Sequence, residues 1–333
     1  MRKRVLMSAG LVLLLAAAQV RADATVETLM KSGGFKGMGA FEGTSVTRIQ
    51  GLKMSESNAT KFTGAILSLL PGGGEQITIH RIDKGVIWEI DTKKKSYREN
   101  RIEPFKTVES GGTDVGKPTV RVTRSEFKVK KTGGSETINA FPCEEYLLSW
   151  LFEVENLETK TKTENTMVTN LWTTPETAAI RKYQAEQSAF SDAYMKKIGL
   201  NLPPAEMKQF GMEAIASLSG ASRREMDAEI ARFKSEMAKI KGYPIRTIVN
   251  WKTSGAEVPK PEGTEVREKQ GPAGGLGDLI GGLKGVISKK LAGGEQKTAG
   301  EGSFFSSAME VKAIHAESIP ADTFEIPPGY VKD

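Results

Sequence analysis

The chain has 333 residues, enough for one large domain or two ordinary ones. Its 38% hydrophobic and 26% charged content is a globular balance that supports a substantial core and excludes a disordered chain. The net charge of +6 falls to +2 once Arg2, Lys3, Arg4 and Arg21 are set aside, so there is no electrostatic case for nucleic acid.

Those four residues stand in the first segment. A basic start at Arg2, Lys3 and Arg4 is followed by an apolar run from Leu11 to Val20. Val20-Arg21-Ala22 and Ala22-Asp23-Ala24 both offer small residues to a signal peptidase. This is the layout of a secretory signal peptide over residues 1–22. The run is shorter than the about 20 residues of a membrane span, so no transmembrane anchor is expected. No cysteine stands near the cleavage point to carry a lipid. The expectation is a free protein in the periplasm. Cys143 is the one cysteine, which excludes an internal disulfide framework. Following Pro142 at the start of an apolar strand, it reads as a buried thiol.

Most of the following chain reads as strand. Gln76–Ile82, Val86–Asp91 and Ser96–Glu99 are separated by turns at Asp83-Lys84-Gly85 and Thr92–Lys95, a meander of short antiparallel strands. Ser110–Gly116 reads as a loop. From Glu145 to Val154, Tyr146, Leu148, Trp150, Phe152 and Val154 alternate on one face. Thr166–Thr173 returns with Val168 and Trp172. Ile245, Thr247, Val249 and Trp251 make a later strand, and Met309, Val311 and Ala313 another.

Residues 175–241 form a helical insertion. Thr174-Pro175 is expected to open it, with threonine as N-cap, and Gly199 to end the first helix. Ile180, Tyr183, Phe190 and Tyr194 recur at helical spacing within it. Pro203-Pro204 starts a second helix with Met207, Phe210 and Leu218. Ser222-Arg223-Arg224-Glu225 is a capping box for a third, whose stripe is Met226, Ile230, Phe233, Met237 and Ile240. Residues 255–302 are a Gly-rich insertion, expected to be mobile. Its 276–291 stretch has an amphipathic pattern weakened by glycines.

Chemical motifs are sparse. The Gly-rich stretch fails as a phosphate cradle, because Lys284 is followed by Gly285 and Val286 rather than Ser or Thr. Gly275 and Gly277 are followed by Ile280 where a dinucleotide turn needs its third glycine. His80 and His315 lack neighbours at metal-ligand spacing, and each reads as a strand histidine with its hydrogen bonds satisfied. Glu144 and Glu145 are adjacent and on a strand point to opposite faces. No Gly-x-Ser-x-Gly turn is present, although a triad can assemble across long separations. No enzyme activity, cofactor or metal is therefore expected.

Three segments carry a resemblance. Ile87 to Tyr97, with its Asp91-Thr92-Lys93-Lys94-Lys95-Ser96-Tyr97, is similar to a hairpin of the periplasmic lipoprotein-carrier (LolA/LolB-like) superfamily. Ile138-Asn139-Ala140-Phe141-Pro142-Cys143-Glu144-Glu145-Tyr146 resembles the "I-N-G-x-x-C-x-x-Y" strand entry there. Phe324-Glu325-Ile326-Pro327-Pro328-Gly329-Tyr330 resembles its closing "F-x-I-P-x-G-Y". The similar branch bears a domain of unknown function. The resemblance implies one domain over residues 23–333: a mainly β (α+β), strongly curved antiparallel half-barrel covering the helical block. It also implies a cavity for acyl chains. No release-linked arginine is placed by motif, and both insertions exceed a minimal carrier. The expected function is a non-enzymatic carrier for a lipid or other apolar ligand. The lining expected is Trp88, Trp150, Phe152, Trp172, Phe210, Met226, Phe233 and Met237. The alternatives are a structural or interaction protein, with an envelope partner and a half-barrel filled by its own helices, and a hydrolase.

Overall fold

A computed structural model describes residues 23–35, 39–63, 74–104, 120–200, 223–255 and 303–333. The expected signal peptide, the 110–116 loop, the second helix and all but the first residue of the Gly-rich insertion lie outside them.

The fold is mainly β. In chain order the strands are β1 (Ala24–Phe35), β2 (Phe41–Gln50), β3 (Lys53–Phe62), β4 (Gly74–Arg81), β5 (Val86–Asp91), β6 (Ser96–Arg101), β7 (Val120–Ile138), β8 (Phe141–Asn156), β9 (Lys162–Thr174), β10 (Tyr243–Gly255), β11 (Ser303–His315) and β12 (Val331–Lys332). Two helices are described, α1 (Ala178–Lys197) and α2 (Arg223–Met237). All twelve strands form one sheet in the order β12-β6-β5-β4-β3-β2-β1-β11-β10-β9-β8-β7, which does not close. Every pairing is antiparallel except the short parallel contact of β12 with β6.

The β4–β5–β6 meander follows the sequence expectation, because alternating apolar residues are punctuated by turns with positive φ at Gly85 and Lys95. Helix α1 begins later than expected. Thr174 still pairs with Tyr243 across the sheet, so it cannot leave it to cap a helix. The N-cap is Thr177, whose side chain accepts from the Ile180 N–H at 3.2 Å. Gly199 does end this segment, at φ +79°. Helix α2 stops at Met237, and Ile240 falls in the turn beyond, where its N–H reaches the Met237 carbonyl.

Residues opposed in an antiparallel pair point to the same side, and alternation then assigns each strand's faces. One face runs through Ala24, Ile49, Met54, His80 and Ile87. Here α1 buries Ile180, Tyr183 and Phe190. The same face continues through Thr28 and Val311, Met309 and Thr247, then Trp251, Met167, Trp150 and Phe127. Phe127 meets Phe233 of α2, so both helices lie on this face.

The reverse face of β4 and β5 carries Ile79, Trp88 and Ile90. The C-terminal segment covers it with Ile319, Phe324, Ile326 and Tyr330. Arg81 secures that cover. Its guanidinium grips Asp83 through Nε (2.9 Å) and Nη2 (2.7 Å), and Nη1 donates to the Phe324 carbonyl and to Glu325. Two of the three familiar segments thus meet in space. The third forms the β7–β8 turn, whose Asn139 donates to Glu310 (2.8 Å) and to the Val311 carbonyl (3.0 Å).

Candidate functional site

Strand β8 places Trp150 and Phe152 two residues apart on the helix-bearing face, with ring centroids 4.9 Å apart. Phe152 lies 6.2 Å from Trp251 of β10, and Trp251 lies 5.0 Å from Phe304 of β11. Met167 of β9 stands between Trp150 and Trp251 in the register. The result is a ladder of rings crossing four strands. At its β7 end Phe127 packs against Phe233 at 4.4 Å. All these side chains are half-buried rather than enclosed.

The polar atoms of the ladder are already used. Trp150 Nε1 donates to Ser125 Oγ and Trp251 Nε1 to Asn165 Oδ1, each at 3.1 Å. With the indole N–H groups paired inside the protein, the rings present only π-faces and C–H edges outward. None of Phe127, Trp150, Phe152, Met167, Phe233, Trp251 or Phe304 titrates. The ladder itself therefore offers dispersion and apolar burial rather than proton transfer or nucleophilic attack.

Helix α2 is fastened to the sheet at several points beside the ladder. Glu236 Oε2 accepts from the Val129 N–H at 2.7 Å. The Lys239 side chain and this N–H hold the Glu236 carboxyl below the ordinary range. After the helix, the Lys241 carbonyl accepts from Thr173 Oγ1 at 2.6 Å, and its N–H donates to the Tyr146 hydroxyl at 3.4 Å.

The residues expected to line a pocket fall into separate places. Trp150 and Phe152 are brought together, and Phe233 borders the same face. Met237 ends α2 and is 38% exposed. Trp88 is buried on the reverse face, its Nε1 bonded to Glu99 and its ring under Arg81 and Lys84. Trp172 is out of phase with Leu171. It opposes Glu145 and Arg246 and packs against the cluster containing Ile138, Cys143 and Ile245. Met226 lies in the first turns of α2, and Phe210 is outside the described residues. Sequence reading missed Phe127, Trp251 and Phe304 as members of the ladder. Trp251 had a signal, since it alternates with Val249 and Thr247. Nothing local says which strand it neighbours.

Elsewhere the chemistry is structural. His80 differs from the satisfied strand histidine expected. Its Nδ1 is buried without a hydrogen-bond partner, and its ring meets Phe190 and Tyr194 edge-on at 6.1 and 6.2 Å. Burial lowers its pKa. Burial also raises Glu56, on the same face of β3, and pushes Tyr183 up to about 12. The Cys143 thiol is buried and its pKa raised by that burial. An open depression of ≈ 320 Å³ on the reverse face is lined by Leu29, Thr44, Ala59 and Glu75 among others. Its carboxylates are engaged, Glu42 with Lys31 and Glu75 with Ser57. Among the described residues, no group of three or more His, Cys, Asp or Glu is placed to hold a metal ion, and no helix is long and apolar enough to cross a membrane. No protein-family model and no curated protein matches the chain.

Proposed function

We propose that the chain is an exported, non-enzymatic binding or carrier protein for a lipid or other apolar ligand. The observation that supports this reading is the ladder of Trp150, Phe152, Trp251 and Phe304, half-exposed on the helix-bearing face with its indole N–H groups already paired. A folded protein gains by burying such rings. Covering about 200 Å² of them with an acyl chain would contribute about 5 kcal/mol. The order of the three familiar segments along the chain adds the expectation of a curved half-barrel. In that arrangement the ladder would line the concave side beneath the helices. Release through a cleaved signal peptide would deliver the protein to the periplasm, where it would carry an apolar passenger between surfaces.

The test is uptake by delipidated protein of a brominated fatty acid, followed by tryptophan quenching. Quenching should saturate, and Trp251→Phe should remove a large part of it. Phe152→Ser should weaken the affinity about tenfold or more. Failure of the delipidated protein to bind this probe, together with no lipid co-purifying in native mass spectrometry, would end the proposal.

A further inference from the structure

The ring planes of the ladder separate one class of apolar ligand from another. Trp150 and Phe152 are tilted by 40° to each other, Phe152 and Trp251 by 50°, and Trp251 and Phe304 by 66°. A sugar chain or a flat polycyclic molecule stacks best on successive coplanar faces, and these rings do not provide them. A saturated chain turns at each carbon and can follow tilted faces and edges. The indole N–H groups are taken by Ser125 and Asn165, so neither is left for a sugar hydroxyl. The row is also narrow. Trp150, Met167 and Trp251 share one line of the register, and β9 carries the polar Asn165 and Thr169 in the lines on either side. We infer that the ladder takes one linear saturated chain, that of a fatty acid, laid across the strands, and that Phe233 of α2 limits the chain length it accepts; this rests on the binding reading above.

The β7 end of the row is closed. Phe233 packs on Phe127 with centroids 4.4 Å apart. One turn earlier Ile230 is buried, and one turn later Glu236 accepts from the Val129 N–H. One stripe of α2 is therefore fixed to the sheet on both sides of Phe233. With its ring covered, Phe127 is removed from the surface a chain can use. A carboxylate driven against these two phenyl rings would lose its water, so the methyl end belongs there and the carboxylate leaves over β11.

Three inter-strand spacings separate Trp150 on β8 from Phe304 on β11. At about 4.8 Å each they make about 14 Å, close to one leaflet of a bilayer's hydrocarbon core of about 30 Å and to about twelve carbons of extended chain. Reaching Phe127 as well would add one spacing, or about four carbons.

The experiment is calorimetric titration of the delipidated protein with saturated fatty acids of about eight to about eighteen carbons, each kept monomeric. Affinity should tighten about tenfold for each four carbons added, because each methylene is covered on one side only, and should level off at about twelve. Phe233→Ala should carry the rise on to about sixteen carbons and leave the shorter chains unchanged. Phe233→Leu keeps more of the α2 contact and serves where the alanine variant does not fold, with a smaller shift in the same direction. A plateau that stays in place in the folded variants overturns the role of Phe233. No dependence on length, or a rise in the parent that continues past about sixteen carbons, overturns the length limit while the binding reading stands. Tighter binding of a linear maltodextrin, or of a two-chain phospholipid over the fatty acid of the same chain, overturns the choice of occupant. If no fatty acid binds at all, the binding reading falls as well.

Discussion

The six strands from β1 to β6 and the four from β7 to β10 belong to one sheet, yet they treat their aromatic residues differently. In the first region both faces of the β4–β5 pair are covered. Helix α1 lies over Ile49, Met54 and Ile87, and the C-terminal segment lies over Ile79, Trp88 and Ile90. Trp88 is 5% exposed and Phe324 is fully buried. In the second region Trp150, Phe152 and Trp251 sit on the helix-bearing face and stay half-exposed. The same residue types thus form a closed core in one region and an apolar surface in the other. Among the described residues, what differs is the cover brought from elsewhere in the chain. A half-exposed ladder of several rings is the more informative of the two, because single exposed apolar residues are ordinary and contiguous ones are not.

The largest expected effect tests that contrast directly. Phe324→Ala should destabilise the protein by about 3–5 kcal/mol, the cost of emptying a packed aromatic site. Phe152→Ala, on a surface already half-open, should cost only about 1–2 kcal/mol while weakening acyl-probe binding. Urea unfolding of both variants checks this. Equal stability losses would erase the distinction between closed and open regions.

The next effect concerns acid stability at the β7–β8 tip. Burial raises the Glu310 pKa, but hydrogen bonds from Lys312, Asn139 and Arg246, with the Arg246 charge, outweigh it and bring the carboxyl down from 4.5 to about 2. A carboxyl depressed by folding contributes stability that is present above about pH 4.5 and is lost as pH falls toward 2. The contribution is about 3 kcal/mol at most. Glu310→Gln should therefore flatten the acid limb of a stability–pH profile within that window. A variant whose acid limb matches the parent's would show that this carboxyl is not what holds the tip.

A smaller effect of opposite chemistry lies under α1. His80 is neutral when folded because burial lowers its pKa, so the unfolded chain takes up protons first as the pH drops below 6.5. Stability from this group is present at neutral pH and falls on acidification. Glu56, raised by burial on the same face, acts in the other sense, because its penalty disappears when it is protonated. Removing the unpartnered Nδ1 with His80→Phe should gain about 1 kcal/mol, the lower end of the cost of an unpaired buried polar atom. It should also reduce the loss of stability as the pH falls below about 6.5. A larger loss over that range in the variant would contradict this account.

Legibility in the sequence follows the same division. Strands β4, β5, β6 and β8 could be read because apolar alternation and turn residues agree locally. Strands β1, β2 and β3 could not, because stretches such as Lys53-Met54-Ser55-Glu56-Ser57-Asn58 alternate between polar kinds rather than between polar and apolar. Strand β7 was hidden by its lysines and by Gly133-Gly134, which fall in a register shift between Lys131 and Ser135. At the site, Trp150 and Phe152 were legible as an i, i+2 pair. Trp251 and Phe304 join them only through strand order across about a hundred residues or more, which no local pattern encodes. Trp88 looked equivalent to Trp150 by alternation alone. The register opposite Ile79 puts it on the reverse face, and its burial there depends on Phe324 arriving from the far end of the chain.

The smallest effect comes from one of the familiar segments itself. The β7–β8 connection is a two-residue turn in which Asn139 has φ +47° and Ala140 φ +69°. Ile138 and Phe141 pair directly across it. Such a turn needs positive φ at both positions, which favours glycine at the second. Asn139 tolerates the conformation and is held there by Glu310, Val311 and Lys312. Ala140 meets the steric penalty of a Cβ in the left-handed region, of about 1–2 kcal/mol. Ala140→Gly relieves it and loses part of the gain to the greater freedom of the unfolded chain, leaving a net stabilisation of about 0.5–1 kcal/mol. Lys95 occupies the same backbone region at φ +52° in the closed half, so Lys95→Gly is the matched substitution there. Both should raise the melting temperature slightly and leave acyl-probe affinity unchanged, because neither turn touches the ladder. A change in affinity from Ala140→Gly alone would mean that the β7–β8 tip and the ladder move together, and the open region would then have to be treated as one deformable unit.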